Sequence, residues 1–508
     1  MADISTSLLV LGIAATVTLW YFTSSTKGEK KLARLALIGD LHSSPIEKPL
    51  LRWDAWAKEK GAIATPKLFG ILPMVILNTA DAATELLSRR SKWYSNRPSS
   101  VSMEMISGAG KGQSRFTVMH DMDANLRLHQ RILSPSIGVV AAPRYQPVME
   151  LEAKQLLRDL LQLSDSKSSV VSSADIYPLL ERTQSSIILA LHYGFRVPTP
   201  TLASPTFFPF LRHLPASISP WHRAADKIFQ EQKELYLYLL ELGDESLGWN
   251  ATKQARAAAA KYAKEPVADI DLAYNLATSV QGGMETSPRA LLWLFVAAVA
   301  ANKDFIKRAH ADLDGVVGRD RLPRFSDRSS LAYIDAIVAE LMRWRPVSPG
   351  GIPRRADKQD DYQGIKIVKN ATVVANAWSI GRDAAAFDPA LGDLEEFVPE
   401  RWLDGDQLKT SLPIPVFGQG RRSCQGKRVA LDGGFANVAY MIWAFDFELV
   451  DEVDCMDMEA IWVMVQPKQF KFKLKPRGPW VAKVVEAEWE TADKDLGIIM
   501  GKPGDIES

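Results

Sequence analysis

The segment Phe417 to Ala430, FGQGRRSCQGKRVA, sets one cysteine, Cys424, between Gly420 and Gly426, behind Arg421 and Arg422, just before a helical pattern that runs to Phe445. A lone cysteine is most often a small core residue. At a helix amino terminus the setting is different, because the helix dipole and free backbone N–H groups stabilise a thiolate. The thiol pKa is then expected to fall, giving an axial ligand suited to haem iron. Gly420 and Gly426 let the chain turn tightly and lie against a flat macrocycle where a Cβ would clash. The Arg422 fork suits a carboxylate such as a haem propionate.

The pattern Phe417-x-x-Gly420-x-Arg422-x-Cys424-x-Gly426 resembles the haem-binding signature of the cytochrome P450 superfamily. Three further motifs keep that family's order and spacing, so the resemblance covers nearly all of the chain after its first residues. Glu340-x-x-Arg343, in DAIVAELMRWRP, would alone be an ordinary i, i+3 pair on a solvated helix face. With Arg401 from FVPERW, the resemblance implies a buried Glu–Arg–Arg triad beside the ligand loop. Buried charges are costly unless all are paired, so the triad would fix the loop's geometry rather than add net stability. Gly282 to Ser287 (GGMETS) lies inside the apolar helix Ile270 to Ala301, where two glycines and Pro288 weaken the helix. The resemblance implies a local opening over the iron that admits dioxygen, with the Thr286 hydroxyl and Glu285 carboxyl holding water and delivering protons. Pro288 removes the hydrogen bond to the Met284 carbonyl and should reinforce that opening.

Smaller matches agree. ANAWSIGRD (Ala375 to Asp383) is similar to the family's strand-to-helix segment, and RPVSPGGIPR (Arg345 to Arg354) to its connection after the Glu-x-x-Arg helix. Arg354 is the candidate there for a propionate contact. Gly350 and Gly351 either leave a roomier substrate pocket or permit a positive φ. The sequence also departs from the family. NLRLHQRIL has Leu126 and Gln130 where a Trp or His and an Arg usually clamp the propionates, which leaves His129 or Arg131 to take over. Gln419 and Gln425 replace a usual aromatic residue and Pro. Cys455 matches no motif and reads as an incidental thiol. The overall pattern, including IWAFDFE (Ile442 to Glu448), is most similar to fungal monooxygenases of secondary metabolism.

Long helices must position these groups. Helical patterns cover Tyr145 to Leu163, Ala224 to Leu242, Ile270 to Ala301 and Ser330 to Arg343. Leu68 to Asn78 reads as two short strands about a Pro turn, and Thr79 caps a helical run to Arg90. Further strands are short: Ile365 to Val368, Thr372 to Asn376, and the alternating Phe470, Phe472 and Leu474. The fold class is therefore mainly α with a small β subdomain, by resemblance the cytochrome P450 fold. No repeat or linker divides it, so one domain is expected over residues 27–508. Phe207 to Trp221, with three prolines and clustered aromatic residues, is either a buried loop or a second membrane contact.

The 508 residues are 47% apolar and 24% charged, which excludes low-complexity and disordered classes. A net charge of +1 supplies no field for a polyanion, so no nucleic-acid partner is expected. Two cysteines build no disulfide framework, and no Cys/His cluster suggests zinc. Ser7 to Phe22 is uncharged; at about 24 Å it is short for a bilayer core of about 30 Å, though flanking Thr and Ser can extend it. Trp20, Tyr21 and Phe22 suit an interfacial belt, and Lys27, Lys30, Lys31 and Arg34 place the rest of the chain in the cytosol. Residues 1–26 are read as an uncleaved transmembrane anchor in the thin endoplasmic reticulum membrane, with a signal peptide or surface helix as the alternatives.

The resemblance then implies a haem-thiolate monooxygenase that binds haem b through Cys424, activates O2 and oxidises an apolar small molecule, a secondary metabolite. No nucleotide or flavin fingerprint is present, so electrons are expected from an NADPH-dependent flavoprotein reductase in the same membrane. Arg421, Lys427 and Arg428 either dock that acidic partner or form an ordinary solvated cluster. The alternative readings are a non-oxygenative rearrangement, coupling or dehydration on the same scaffold, and a non-catalytic haem-binding protein.

Overall fold

The computed structural model describes residues 49–68, 72–110, 113–198, 220–302, 304–461 and 463–502. The proposed anchor (1–26), and the segment from Phe207 up to the start of the helix at Pro220, lie outside the described residues. Among those described, no helix is long and apolar enough to cross a membrane.

Helices carry the chain: α1 (Pro49–Lys60), α2 (Ala80–Thr84, extended by a π turn over Glu85–Arg89), α3 (Ala124–Ile137), α4 (Ala142–Ser166), α5 (Ser173–Tyr193), α6 (Pro220–Glu245), α7 (Ala251–Tyr262), α8 (Asp269–Val296), α9 (Asp304–Val316), α10 (Ala332–Trp344), α11 (Lys427–Ala444), α12 (Trp480–Glu490) and the short α13 (Leu496–Ile499). Their starts follow side-chain chemistry. The Thr79 hydroxyl accepts the Ala82 N–H, Asp123 accepts the Leu126 N–H at 2.8 Å, and Ser172 with Asp175 forms a reciprocal box at the start of α5. Gly194, at φ +75°, ends α5 in the left-handed conformation that glycine takes without steric cost.

Helix α8 is the axis. Its carboxyl-terminal end, Leu291 to Val296, is buried at every residue, as a helix segment apolar all round must be. It packs against α5 and α6 and also meets α3, α10 and α11. Trp293 of α8 and Trp344 of α10 meet edge to face at 6.1 Å within the largest core cluster.

The β structure is small and peripheral, as expected. In one sheet β1 (Ile63–Ala64), β3 (Leu72–Leu77), β6 (Thr372–Ala375) and β5 (Arg354–Arg355) lie in that order, with β2 (Lys67–Leu68) beside β3. Strands β3 and β6 run parallel, Met74 opposite Thr372. Pro73 is not the turn: it pairs with Lys67 as the second residue of β3, a position where a missing N–H is tolerated. In another sheet β7 (Phe445–Leu449) pairs with β8 (Lys471–Pro476), which also pairs with β4 (Val170–Ser172).

Candidate active site

The loop before α11 is built by its backbone. Pro415–Phe417 makes a 3-10 turn that packs against α10, the Cys424 N–H donates to the Phe417 carbonyl at 2.8 Å, and α11 begins three residues after the cysteine. Gly420 sits at φ +62°, and a Cβ there would overlap the Leu87 carbonyl oxygen, so both conformation and space demand glycine. Gly426 has an ordinary φ of −81°, and a Cβ there would meet only the Cys424 sulfur within 4 Å. That open space beside the sulfur is consistent with a flat ring lying there.

One expectation is corrected. The Cys424 thiol is exposed at the surface of a recess, yet crowding by the loop pushes its pKa up; the Gly426 backbone N–H and the Lys427 charge act in the lowering direction and are outweighed. Desolvation wins because one backbone N–H and one exposed lysine offset only part of it.

Three arginines converge near this loop. Arg422 donates from Nε to the Ser95 carbonyl (2.7 Å), from Nη1 to Thr117 O and from Nη2 to His120 O. Arg354 donates to Gln419 O and Leu87 O. Arg97, unmarked by any motif, donates to Val118 O, Ile352 O and Pro353 O, each at 2.7 Å. Among the described residues none of the three guanidinium groups has a carboxylate within ion-pair distance. Burial, and the neighbouring charges of Arg422 and Arg354, push Arg97 well below its usual pKa. Burial, followed by the Arg422 charge, lowers Arg354 to about 10. Burial likewise lowers Arg422 to about 10, against Asp121 and Asp123. Three desolvated cations satisfied only by carbonyls form a positive pocket that suits paired carboxylates, and haem carries two. The chain's residues therefore fit the group.

The two expected substitutes for the usual clamp fare differently from these arginines. Arg131 is exposed on the side of α3 opposite its buried face and makes no hydrogen bond or ion pair among the described residues. His129 is buried. Its carbonyl accepts from Asn275 of α8, its Nδ1 has no partner among the described residues, burial lowers its pKa, and it lines a cavity of ≈ 160 Å³ with His120, Arg115 and Asp271. Gln130 instead ties α3 to the loop through neutral bonds, donating to Arg421 O at 3.3 Å and accepting from Gln425 Nε2 at 3.4 Å. Leu126 is a core residue.

On α8 the Thr286 hydroxyl donates to the Gly282 carbonyl at 2.8 Å. Among the described residues a Cβ on Gly282 would meet nothing within 4 Å, so that face is open to them, whereas Gly283 abuts Ile188 of α5. The Glu285 carboxylate lies 3.6 Å from Arg289 Nη1. The expected opening is not a break: α8 continues through Pro288 into the buried run Leu291 to Val296, whose packing outweighs one lost N–H.

The triad is present and fully buried. Arg343 makes two 2.7 Å bonds to Glu340, which also accepts from Trp402 Nε1 and the Val398 N–H and lies 3.7 Å from Arg401 Nε. Arg343 spends its remaining donors on Gly381 O, Leu394 O and Glu396 O, so this cluster pins the 380–402 segment to α10.

The glycine pair is resolved. Gly351 lies at φ +56°, and a Cβ on Gly350 would strike the Trp53 ring of α1 at 2.8 Å. Conformation explains the first and an aromatic neighbour the second, so neither leaves pocket volume. On the thiolate side Arg421 and Lys427 are exposed, while Arg428 is paired with buried Asp432 at 2.9 Å. Cys455 is half-buried, with a raised thiol pKa from burial.

A helical fold closing over a cysteine loop with buried cations beside it defines a haem-thiolate protein. The family model described as Cytochrome P450 matches residues 33–474. Among curated proteins the chain is 30% identical to cytochrome P450 monooxygenase aneD of Aspergillus aculeatus, over 90% of this chain and 90% of that protein. It is also 30% identical to cytochrome P450 monooxygenase FrzL of a Cladobotryum species, over 93% and 91%. A zebrafish cytochrome P450 solved with progesterone superposes with a TM-score of 0.71 at 22% identity, covering 84% of this chain and 99% of that one. The chain belongs to the cytochrome P450 family, whose monooxygenases use haem-thiolate iron and dioxygen.

Proposed function

We propose that this monooxygenase oxidises an apolar secondary metabolite with electrons from an NADPH-dependent flavoprotein reductase, while anchored to the endoplasmic reticulum membrane by residues 1–26. The observation that carries the haem-thiolate centre is Cys424 in a glycine-shaped recess beside three arginines that, among the described residues, lack carboxylate partners. The similarity to cytochrome P450 monooxygenases of Aspergillus aculeatus and a Cladobotryum species supports the monooxygenase reading.

Cys424 would ligate the iron, and Arg97, Arg354 and Arg422 would hold the haem carboxylates. When bound, the haem supplies the activation of dioxygen. Thr286 and Glu285 hold water and move protons on the open face of α8. The Glu340–Arg343–Arg401 cluster keeps the segment around the cysteine loop in place. Arg421 and Lys427 offer exposed cations to an acidic reductase face.

The decisive measurement is the red-shifted ferrous carbonyl band. Cys424→Ser is expected to abolish it and Cys455→Ser to keep it; a band surviving without Cys424 overturns the assignment. A spin-state screen against fungal metabolites tests the substrate class. Deleting residues 1–26 is expected to keep the band and reduce membrane association, and unchanged membrane association would remove the anchor.

A further inference from the structure

Helices α5 and α8 enclose a cluster around Glu285 whose other members, Arg289, Tyr177 and Glu181, lie outside the family motifs. Arg289 is 8% exposed, its guanidinium lies 5.2 Å over the Tyr177 ring, and Nη1 donates to the Glu285 carbonyl at 2.8 Å. That same Nη1 is 3.6 Å from Glu285 Oε2, an ion pair too long for a directional hydrogen bond. The carboxylate is thus held by charge rather than by a directional bond. Across the seam, the Tyr177 hydroxyl donates to Glu181 at 3.3 Å. Arg289 Nε is buried with no acceptor among the described residues, so the guanidinium keeps a spare donor. Burial raises the Glu181 carboxyl pKa; Tyr177 and the Arg289 charge lower it, and the Glu285 charge raises it, so both acids share the field of one cation.

We propose that Arg289 is a positioning residue for Glu285, and that Glu181 is the second carboxylate that takes up the guanidinium when Glu285 turns towards Thr286. The proposal rests on the monooxygenase reading and adds what controls the acid. A buried arginine with one carboxylate would lock that carboxylate; a second one beyond Tyr177 lets the guanidinium stay paired while Glu285 turns away. Tyr177 is suited to guide the exchange, since its ring supports the guanidinium and its hydroxyl marks the Glu181 end.

The test uses the holoenzyme with an NADPH-dependent reductase and no substrate, measuring NADPH consumed and peroxide released. Reduction by two electrons yields peroxide, whereas reduction by four yields water and needs further protons. Arg289→Gln is expected to raise peroxide per NADPH several-fold with the carbonyl band unchanged, and Arg289→Lys to restore most of the loss. Glu181→Gln, which removes the competing carboxylate, is expected to slow NADPH consumption several-fold at an unchanged peroxide ratio. A readout independent of turnover is the thermal midpoint of Glu285→Gln, Arg289→Gln and the double variant, expected to be non-additive. An unchanged ratio in Arg289→Gln, identical ratios in the Gln and Lys variants, an unchanged rate in Glu181→Gln, or additive midpoints would each overturn the proposal. The parent protein's carbonyl band reports the haem-thiolate reading separately, so the two failures are told apart.

Discussion

Arg97 shows how much a single side chain can owe to its surroundings. Nothing in the local sequence SNRP marks it, yet its guanidinium is buried, bonded only to carbonyls, and crowded by Arg354 and Arg422. Such a cluster costs stability unless negative charge enters it. Arg97→Gln is therefore expected to leave the purified protein with several-fold less haem, whereas Arg131→Gln, on the exposed side of α3, retains the parental amount. The ratio of haem absorbance to protein measures both; equal retention would remove Arg97 from the site. Cys424, by contrast, was legible because its chemistry is carried by its immediate neighbours in the chain. Its pKa was not, since crowding around the thiol depends on how the loop lies in the fold.

Among the elements, α1 has a role that its sequence conceals. Trp53 lies where a Gly350 side chain would go, which couples this helix to the turn after α10. Gly350→Leu is expected to displace the indole and lower the thermal midpoint, with an unchanged substrate spin shift. Overpacking typically costs about 1–3 kcal/mol. Trp53→Ala in the same chain should recover part of that loss, and a Leu variant with parental stability would show that the ring yields freely. The carboxyl-terminal helices α12 and α13 are a second coupling, and they lie beyond the residues matched to the family. Along α4, Glu486 pairs with Arg158 and Glu488 with Lys154, while Trp489 receives Arg158 and Arg196 over its ring. The strap ends where the Gly501 carbonyl accepts the Trp249 N–H. It thereby reaches the residues after α5 as well as the turn between α6 and α7.

For the molecule as a whole, acid stability should be governed by buried neutral groups. His192 is fully enclosed between α5 and α8, with Nδ1 bonded to Ile188 O and Nε2 to the Ser279 hydroxyl, and burial lowers its pKa to about 4. In the unfolded chain the value is about 6.5. Between these values the unfolded state binds more protons, so stability is fully present above about pH 6.5 and is lost as pH falls towards 4. The single group accounts for about 3 kcal/mol across that window. His192→Gln should flatten the pH dependence of the urea midpoint from pH 4 to 6.5; an unaltered slope would assign acid sensitivity to other groups.

The sequence by itself determined the cysteine loop, the Glu340–Arg343 pair, the cap at Thr79, and the succession of helices with little sheet. These follow from contiguous motifs, helical periodicity and hydrogen bonds between near neighbours. Only the tertiary structure decided which cations gather beside the loop, that α8 runs unbroken through Pro288, that Trp53 fills the place beside Gly350, and that the Cys424 thiol is raised rather than lowered. Each of those outcomes depends on desolvation and on contacts between segments far apart in the chain, so each exists only once the helices have packed.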